Sequence, residues 1–508
     1  MIEISTARKY FPLLLPFLFG LFLRFYNLDH QGLFLDEAFS ADLVAYSWQR
    51  MFNLGLQDVH PLLYYAFLKL SLTTLPLNAW TLRFFSALCS TLALGLAIDI
   101  TRQLVGLRAA ILTGWLLAWS SLQLYYAQEA RMYTLLELLW LLSPWLLLHA
   151  IKQQHWPYWV GWALTTAAAI HTQFYGLLLW AVGAVGSALL LLQQRSWHRL
   201  RGWLLAQFII VAPLTVPLLF LLLTVIRQGT GGVWVPTLVD PLKLWLLGLF
   251  GFSPVREQFL NGEALSLEPW SRIPFSIWSI LALVIIVGAL IGWWRRGIAD
   301  KSGQAAWLVI TFGFLPPLLS AAMLGVLQKQ FWAPRPFLGS IAWLLIGVAI
   351  GWSAFRRRTA WCIMGVLFAL NAGSLWAYET RWIKGYSQIA FSVWDEQVPS
   401  NTILLLDRSY KFVLWNFYQP YQEDIPVFGL LPLPDGTMSL WRLEHDGTLR
   451  GHARLTSCKE LPTSVLIGLY DPGGRRFHEQ WPDCLRERPG WSFNPAARQW
   501  EAVPQLLP

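Results

Sequence analysis

Charged residues are scarce in this chain. Asp, Glu, Lys and Arg make up 13% of its 508 residues, whereas soluble domains contain about 25%. The hydrophobic fraction is 56%, with 31 Trp and 30 Phe. A water-soluble protein of this length could not bury so much apolar surface, because soluble chains divide into domains with charged exteriors. The composition therefore indicates an integral membrane protein.

Cysteine is scarce as well, and no Cys and His spacing is typical of a zinc site. Cys89 and Cys362 lie in apolar runs and are predicted to be small buried residues. Cys458 and Cys484 lie in the polar C-terminal region, where a disulfide is possible if that region is extracytoplasmic. The sequence requires no cofactor, although a carboxylate pair next to a phosphate could bind a divalent cation.

The net charge of +9 comes from short basic clusters that apolar runs separate. These clusters contain Arg195, Arg199 and Arg201; Arg295, Arg296 and Lys301; and Arg356, Arg357 and Arg358. Nucleic acid is an improbable partner, because the basic residues do not converge on one surface. Membrane proteins carry such clusters in cytoplasmic loops. The pattern predicts a multi-pass protein of the cell membrane with a cytoplasmic N-terminus.

The apolar runs predict about 11 spans, because one spanning helix needs about 20 mostly apolar residues. The candidates are residues 11–28, 80–100, 109–124, 133–151, 158–174, 176–193, 203–226, 274–294, 305–327, 336–355 and 360–378. The predicted fold is therefore mainly α, a membrane helix bundle over residues 1–378. Residues 379–508 are richer in charge, Pro and Gly, and predict a small extracytoplasmic α/β domain.

Two long loops, residues 29–79 and 227–273, are predicted on the extracytoplasmic side, and loops of such length are usually functional. The first contains Asp36 and Glu37 between apolar and aromatic residues. Desolvation and like charge would raise the pKa of at least one carboxyl group, which suits proton abstraction from a hydroxyl. The alternative is an ordinary helix start, with Asp36 as cap and Glu37 in the first turn.

Further ionisable residues fall on the same predicted side. His60 precedes a Pro and an aromatic run with Tyr64, and could contact an anionic group or simply begin an interfacial aromatic belt. Glu129 and Arg131 share a very short turn, where they could pair with each other or Arg131 could bind a phosphate.

His171 and Arg335 lie in two other short turns on this side, each with a structural alternative. Arg24 and Arg83 could snorkel or line a cavity, and the sequence does not decide between these alternatives. Together the carboxylates, His and Arg predict a site for a phosphate-bearing lipid.

The same residues resemble a known family. The ordered set of Asp36-Glu37, His60-Pro61, Arg83, the turn from Tyr126 to Tyr133, and His171 to Gly176 is similar to the bacterial protein O-mannosyltransferase and aminoarabinose-transferase group, which are GT-C class glycosyltransferases. The resemblance covers roughly residues 10–380. Leu62 and Pro336 depart from the usual pattern, which has Pro and Tyr at those positions.

The resemblance implies transfer of a sugar from a polyprenyl-phosphate carrier to an extracytoplasmic acceptor by an inverting single displacement. It implies that Asp36 orients and deprotonates the acceptor, that His60 lies near the donor phosphate, and that the arginines neutralise the leaving phosphate. Two other classes remain as alternatives: a lipid or sugar transporter, which would show inverted repeats, and a non-catalytic assembly or sensor protein that functions through its C-terminal region.

Overall fold

The structure is a computed structural model, and it describes residues 4–55, 60–228, 235–251, 273–297, 300–329, 332–380, 387–392, 394–406, 417, 427–432, 438–443, 454–455, 466–470, 489–494 and 497–504. The chain divides into two compact units. The larger contains Met1–Leu28 and Tyr46–Trp382, and the smaller contains Asp29–Ala45 and Ile383–Pro508. The predicted domain boundary after residue 378 stays a prediction.

Helices make up most of the described chain. In chain order they are α1 (Ile4–Phe25), α2 (Leu35–Ala45), α3 (Trp48–Gly55), α4 (Leu63–Ser71), α5 (Ala79–Leu104), α6 (Leu107–Trp119), α7 (Ser121–Ala127), α8 (Tyr133–Gln153), α9 (Trp156–Thr172), α10 (Gly176–Gln193), α11 (Trp197–Ala206), α12 (Ala212–Gln228), α13 (Asp240–Phe250), α14 (Phe275–Arg296), α15 (Asp300–Leu308), α16 (Leu315–Val326), α17 (Leu338–Trp352), α18 (Arg357–Thr380), α19 (Ser387–Ser392) and α20 (Trp394–Gln397). Only α2, α19 and α20 of these belong to the smaller unit.

The predicted mainly helical membrane fold is confirmed. Among the described residues, 8 helical segments are long and apolar enough to cross a membrane, and Phe11–Phe25 and Leu107–Trp119 are shorter apolar helices. Each of the predicted spans is helical over most of its length, as α9 is for residues 158–174. The long loop 227–273 contains α13, a short helix that buries most of its apolar residues. Residues 229–234 and 252–272 of this loop lie outside the described part.

Two predictions about the apolar runs were wrong, one about a helix and one about the burial of a cysteine. The run 109–124 is not one helix, because the chain leaves the helical conformation at Ser120 and starts α7, with the Ser120 hydroxyl accepting a hydrogen bond from the Gln123 amide. Serine competes for backbone groups in this way and so favours caps over helix interiors. Cys362, predicted to be buried, is exposed on α18, whereas Cys89 is buried.

Arg24 and Arg83 are structural groups of the helical unit and do not snorkel, since they are 1% and 0% exposed. The Arg24 guanidinium donates to Ser90 Oγ at 2.9 Å and to the carbonyls of Gly20 and Leu117, each at 3.1 Å. Arg83 Nη1 donates to the Leu28 carbonyl at 2.6 Å. Such bonds offset the cost of burying a charge between helices.

Small residues and π-helical turns bring the later helices together. A side chain at Gly288 or Gly292 of α14 would collide with Trp352 or Gly351 of α17, so these helices approach closely through a small-residue surface. The π-helical turn Val309–Phe314 separates α15 from α16. The Phe312 carbonyl within it accepts hydrogen bonds from the Trp140 indole at 3.1 Å and the Ser340 hydroxyl at 3.0 Å.

Asn371 of α18 connects three helices. Its side-chain oxygen accepts hydrogen bonds from the Ser121 amide and hydroxyl, each at 3.0 Å, and its nitrogen donates to the carbonyls of Leu249 and Leu367, also at 3.0 Å. These bonds fix the start of α7, whose other end leads to the Glu129 turn.

The smaller unit contains a seven-stranded mixed sheet, which confirms the predicted sheet region near the C-terminus. Its strands are β1 (Thr402–Leu406), β2 (Val427–Pro432), β3 (Met438–Leu443), β4 (Arg454–Leu455), β5 (Leu466–Tyr470), β6 (Gly490–Asn494) and β7 (Gln499–Val503), in the spatial order β4-β3-β2-β1-β5-β6-β7. The apolar strand β1 is central, pairing in parallel with β2 and β5. Trp500 of β7 contacts Trp394 at 4.7 Å and so packs α20 on the sheet. Cys458 and Cys484 lie outside the described residues.

Candidate active site

Arg131 belongs to a polar cluster of the helical unit, which also contains Glu129, Arg335 and the tyrosines around them. It lies in the short turn between α7 and α8 and is 3% exposed. Its Nη1 donates a hydrogen bond to the Tyr65 hydroxyl of α4 at 2.9 Å, and the guanidinium lies 6.0 Å from the centre of the Tyr65 ring. The backbone carbonyl of Arg131 accepts from the Ser86 hydroxyl of α5 at 3.2 Å. Two helices, α4 and α5, therefore contact this arginine.

Tyr64 supports the same cluster from the neighbouring position on α4. Its hydroxyl lies 2.9 Å from Ser86 Oγ, and its ring packs edge-on against Tyr65. Burial raises the pKa of Tyr64 well above its ordinary value, and Arg131 opposes this shift only in part. Tyr64 is therefore neutral at physiological pH and can donate a hydrogen bond.

Arg335 contacts the cluster through Tyr133. It begins the 3₁₀ turn Arg335–Phe337 before α17 and is only partly buried. Its Nη1 is 3.5 Å from the Tyr133 hydroxyl, and its guanidinium lies 5.9 Å from the centre of the Tyr133 ring. Tyr133 also packs against Tyr126, with 5.6 Å between ring centres. Because Tyr133 is two residues after Arg131, one short segment joins both arginines.

Glu129 contributes the negative charge of the cluster. It is 1% exposed and lies beside Tyr125 and Tyr126, whose pKa values burial raises well above the ordinary value. Glu129 raises both pKa values further, whereas Arg335 lowers them. The buried Tyr126 hydroxyl makes no hydrogen bond within the described part of the chain. Glu129 and Arg335 therefore both lie close enough to Tyr125 and Tyr126 to act on them electrostatically.

The two histidines differ in their placement. His60 directly precedes the segment that forms α4, which carries Tyr64 and Tyr65, and its Nδ1 atom is buried. His171 ends α9 and donates from Nε2 to the Leu214 carbonyl of α12 at 2.8 Å, if that nitrogen carries the proton. This contact fits the structural alternative for His171.

Asp36 and Glu37 lie in the smaller unit, in the first turn of α2. Glu37 is 0% exposed, and its carboxylate accepts a hydrogen bond from the Phe34 amide at 3.4 Å, as an acidic residue does in the third position of a capping box. Asp36 is only partly buried. The helix-start alternative therefore fits Glu37. That Asp36 lies in the same site as Arg131 stays a prediction.

The described residues also bear on metal binding. Within them, no group of three or more His, Cys, Asp and Glu side chains could hold a metal ion. A divalent cation bound by the carboxylate pair of Asp36 and Glu37, which the sequence permits, stays a prediction.

Sequence reasoning missed several tyrosines of this cluster. It selected Tyr64, but Tyr65 is the residue that contacts the Arg131 guanidinium. Tyr126, Tyr133 and Tyr378 also belong here, since Tyr378 packs on Tyr125 with 5.7 Å between ring centres. The density of tyrosine around the Glu129 turn was the available signal, because a tyrosine buried beside charged groups needs a hydrogen-bond partner.

The chain resembles known proteins in its sequence and in its fold. Residues 59–220 match the model of the dolichyl-phosphate-mannose-protein mannosyltransferase family. The fold is similar to that of ArnT from Cupriavidus metallidurans bound to undecaprenyl phosphate, with a TM-score of 0.53 and 14% identity over 82% of this chain and 85% of ArnT. The apo oligosaccharyltransferase from Archaeoglobus fulgidus has a TM-score of 0.48 and 13% identity, over 81% of this chain and 64% of its own. No curated protein matches significantly in sequence.

The helix bundle and these comparisons define the class of protein: a multi-pass membrane protein with the GT-C fold. Within this class, the resemblance to glycosyltransferases of the protein mannosyltransferase and ArnT type is confirmed. The comparisons do not favour the transporter alternative.

Proposed function

We propose that the protein transfers a sugar from a polyprenyl-phosphate carrier to an extracytoplasmic acceptor by an inverting single displacement. The observation that carries this proposal is the cluster of Arg131, Arg335 and neutral tyrosines in the helical unit. A planar guanidinium binds a phosphate through two parallel hydrogen bonds. Two of them would bind the phosphate before transfer and stabilise the charge that it gains on leaving.

The carrier is supported by the fold comparison. The similar ArnT structure contains undecaprenyl phosphate. A lipid of this kind brings its phosphate to the membrane surface without a soluble nucleotide, and a cluster at one end of a helix bundle suits such a headgroup.

The proposed reaction makes one bond and breaks one. An acceptor hydroxyl attacks the anomeric carbon, the bond from that carbon to the phosphate oxygen breaks, and polyprenyl phosphate leaves with the electron pair. Asp36 takes the hydroxyl proton, which is the role that the family resemblance implies, and attack from the opposite face inverts the anomeric centre. Protonation of Asp36 by the acceptor balances the charge that Arg131 and Arg335 stabilise on the phosphate.

The arrangement in the membrane is part of the proposal. The basic clusters support a cytoplasmic N-terminus and an extracytoplasmic C-terminal region in the cell membrane. With this orientation the turns of Arg131 and Arg335 and the loop of Asp36 share the outer side. The smaller unit would then select the acceptor.

The test uses Asp36→Asn in membranes that contain a radiolabelled pool of polyprenyl-linked sugars. Loss of the general base should lower the transfer rate by about 10²–10⁴-fold. The matched control is Asp42→Asn, another partly buried aspartate on α2, which should transfer at the parent rate. Equal rates for Asp36→Asn and the parent, at equal amounts of folded protein, would exclude Asp36 as the base.

A further inference from the structure

An apolar groove lies among the later helices of the helical unit. α14, the π-helical turn Val309–Phe314 and α17 enclose a groove with about 660 Å³ of empty space, part of it open to the surroundings. Its lining is almost entirely apolar and includes Ile286, Leu290, Trp293, Val309, Ile310 and Leu344. Leu290 and Ile310 of this lining are exposed, and the helices belong to segments that are long and apolar enough to cross a membrane.

The shape of the groove fits an extended chain. From Ile286 to Trp293 it follows two turns of α14, which is about 10 Å. One leaflet of the hydrocarbon core is about 15 Å thick, so most of an acyl chain could lie along it. Val309, Ile310 and Phe314 of the π-helical turn line the groove, and such turns are frequent at functional sites.

Three arginines lie beyond the Trp293 end of the groove, at Ser353 and Phe355. Arg296, one turn beyond Trp293, donates to Ser353 Oγ at 2.6 Å and lies 3.4 Å from the Ile350 carbonyl. The Arg295 guanidinium lies 4.7 Å from the centre of the Phe355 ring. Arg108 Nη2 donates to the Phe355 carbonyl. All three therefore meet at the segment that follows α17.

Among the described residues, no carboxylate pairs with this arginine cluster, since none lies within ion-pair distance of Arg108, Arg295 or Arg296. Arg108 and Arg296 are close enough for their like charges to repel. The exposed Arg356, Arg357 and Arg358 follow immediately in sequence and add to the positive charge. An anionic group at this position would relieve the repulsion.

We propose that this groove and the arginine cluster form a binding site for an anionic phospholipid of the bilayer. One acyl chain lies in the apolar groove, and Arg108, Arg295 and Arg296 bind the phosphate of the headgroup. Basic clusters at the membrane surface attract anionic lipids, and basic pockets between spanning helices bind their headgroups. The site is separate from the proposed carrier site, because α17 extends about 25 Å between Arg335 and Ser353.

The test measures lipid binding by the purified full-length protein in nanodiscs. Discs of phosphatidylcholine alone are compared with discs that contain phosphatidylglycerol or cardiolipin, by melting temperature and by native mass spectrometry of retained lipid. The parent should melt higher with anionic lipid and retain it. Arg295→Gln/Arg296→Gln should lower the anionic lipid affinity on the order of 20-fold, because each arginine near the surface contributes about fivefold.

Two further variants distinguish a specific lipid-binding site from nonspecific electrostatic attraction of anionic lipid. Arg195→Gln/Arg201→Gln removes the same charge from another basic cluster and should keep parent retention. Ala306→Leu fills the groove and keeps every arginine, and it should reduce retention of long-chain anionic lipid. The proposal is overturned if both arginine pairs lose lipid retention equally, or if Ala306→Leu retains lipid as the parent does. It is also overturned if the parent shows no preference for anionic lipid. Ala306→Leu also provides the test if the Arg295/Arg296 pair fails to fold.

Discussion

The contact between Arg131 and Tyr65 gives the sharpest prediction about the carrier site. Tyr65→Phe removes the hydroxyl that accepts from Arg131 Nη1 at 2.9 Å and leaves the buried ring in place. A hydrogen bond to a charged group contributes about 1.5–3 kcal/mol. If the Tyr65 hydroxyl holds the guanidinium in its binding geometry, its loss should weaken phosphate binding by about 10–100-fold, the range that corresponds to this energy.

The assay is a double-mutant cycle on binding of undecaprenyl phosphate, followed by intrinsic tryptophan fluorescence of the protein in detergent. The variants are Tyr65→Phe, Arg131→Gln and the pair. Arg131→Gln removes the charge itself and should weaken binding at least as much as Tyr65→Phe. In the absence of Arg131, Tyr65→Phe should have little further effect, so the two changes should be strongly non-additive.

The control is Tyr158→Phe, at the start of α9, where the ring packs against His149 and His155. This variant should bind the lipid as the parent does. The reasoning is refuted if the losses from Tyr65→Phe and Arg131→Gln add in the pair, because Tyr65 would then act independently of Arg131. Parent-like binding by Arg131→Gln would remove Arg131 from the carrier site altogether.

Two other predictions concern stability. Asn371→Leu should lower the free energy of unfolding by about 2–4 kcal/mol, because it breaks hydrogen bonds to Ser121, Leu249 and Leu367 in a buried position; thermal unfolding measures this, and the exposed Asn53→Leu should unfold like the parent. Tyr64 has a pKa above its ordinary value of 10.0 in the folded protein, so the folded state holds its proton more tightly than the unfolded state. Its stabilisation is therefore complete below pH 10.0 and is lost as the pH rises through the higher folded pKa. Above pH 10.0 the melting temperature of Tyr64→Phe should fall less steeply than that of the parent, and equal slopes would contradict the assignment.

The membrane-spanning helices could be predicted because the bilayer imposes a strong rule. Lipid offers no hydrogen bonds, so an apolar run of sufficient length must become helix. This is why every predicted span is helical over most of its length. The break at Ser120 could not be predicted, since it depends on a local hydrogen bond to the Gln123 amide and on Asn371, which is distant in sequence.

The polar cluster could be predicted only in outline. The turns of Glu129, Arg131 and Arg335 were found because charges between apolar runs are unusual. The rotation of α4 about its axis then decides whether Tyr64 or Tyr65 contacts Arg131, and adjacent residues on a helix point about 100° apart. Packing against α5 fixes this rotation through the bond between Tyr64 and Ser86, which the sequence does not reveal. The contact between His171 and Leu214 likewise depends on the packing of α9 against α12.

The arginines of the helical unit differ in exposure and in their hydrogen bonds to the protein, and this difference supports the two proposed lipid sites. All three guanidinium nitrogens of Arg24 donate to protein atoms, so this residue is committed to the bundle. Arg335 is partly exposed at the start of α17, and its 3.5 Å contact with Tyr133 is at the outer limit of a hydrogen bond. Arg296 is exposed beyond the other end of the same helix, beside an apolar groove. In a bilayer, arginines at both ends of a buried helix would lie near the two headgroup layers, where basic groups attract anionic lipids. This position fits both proposals, in which one arginine binds the phosphate of the sugar carrier and the other that of a bilayer lipid.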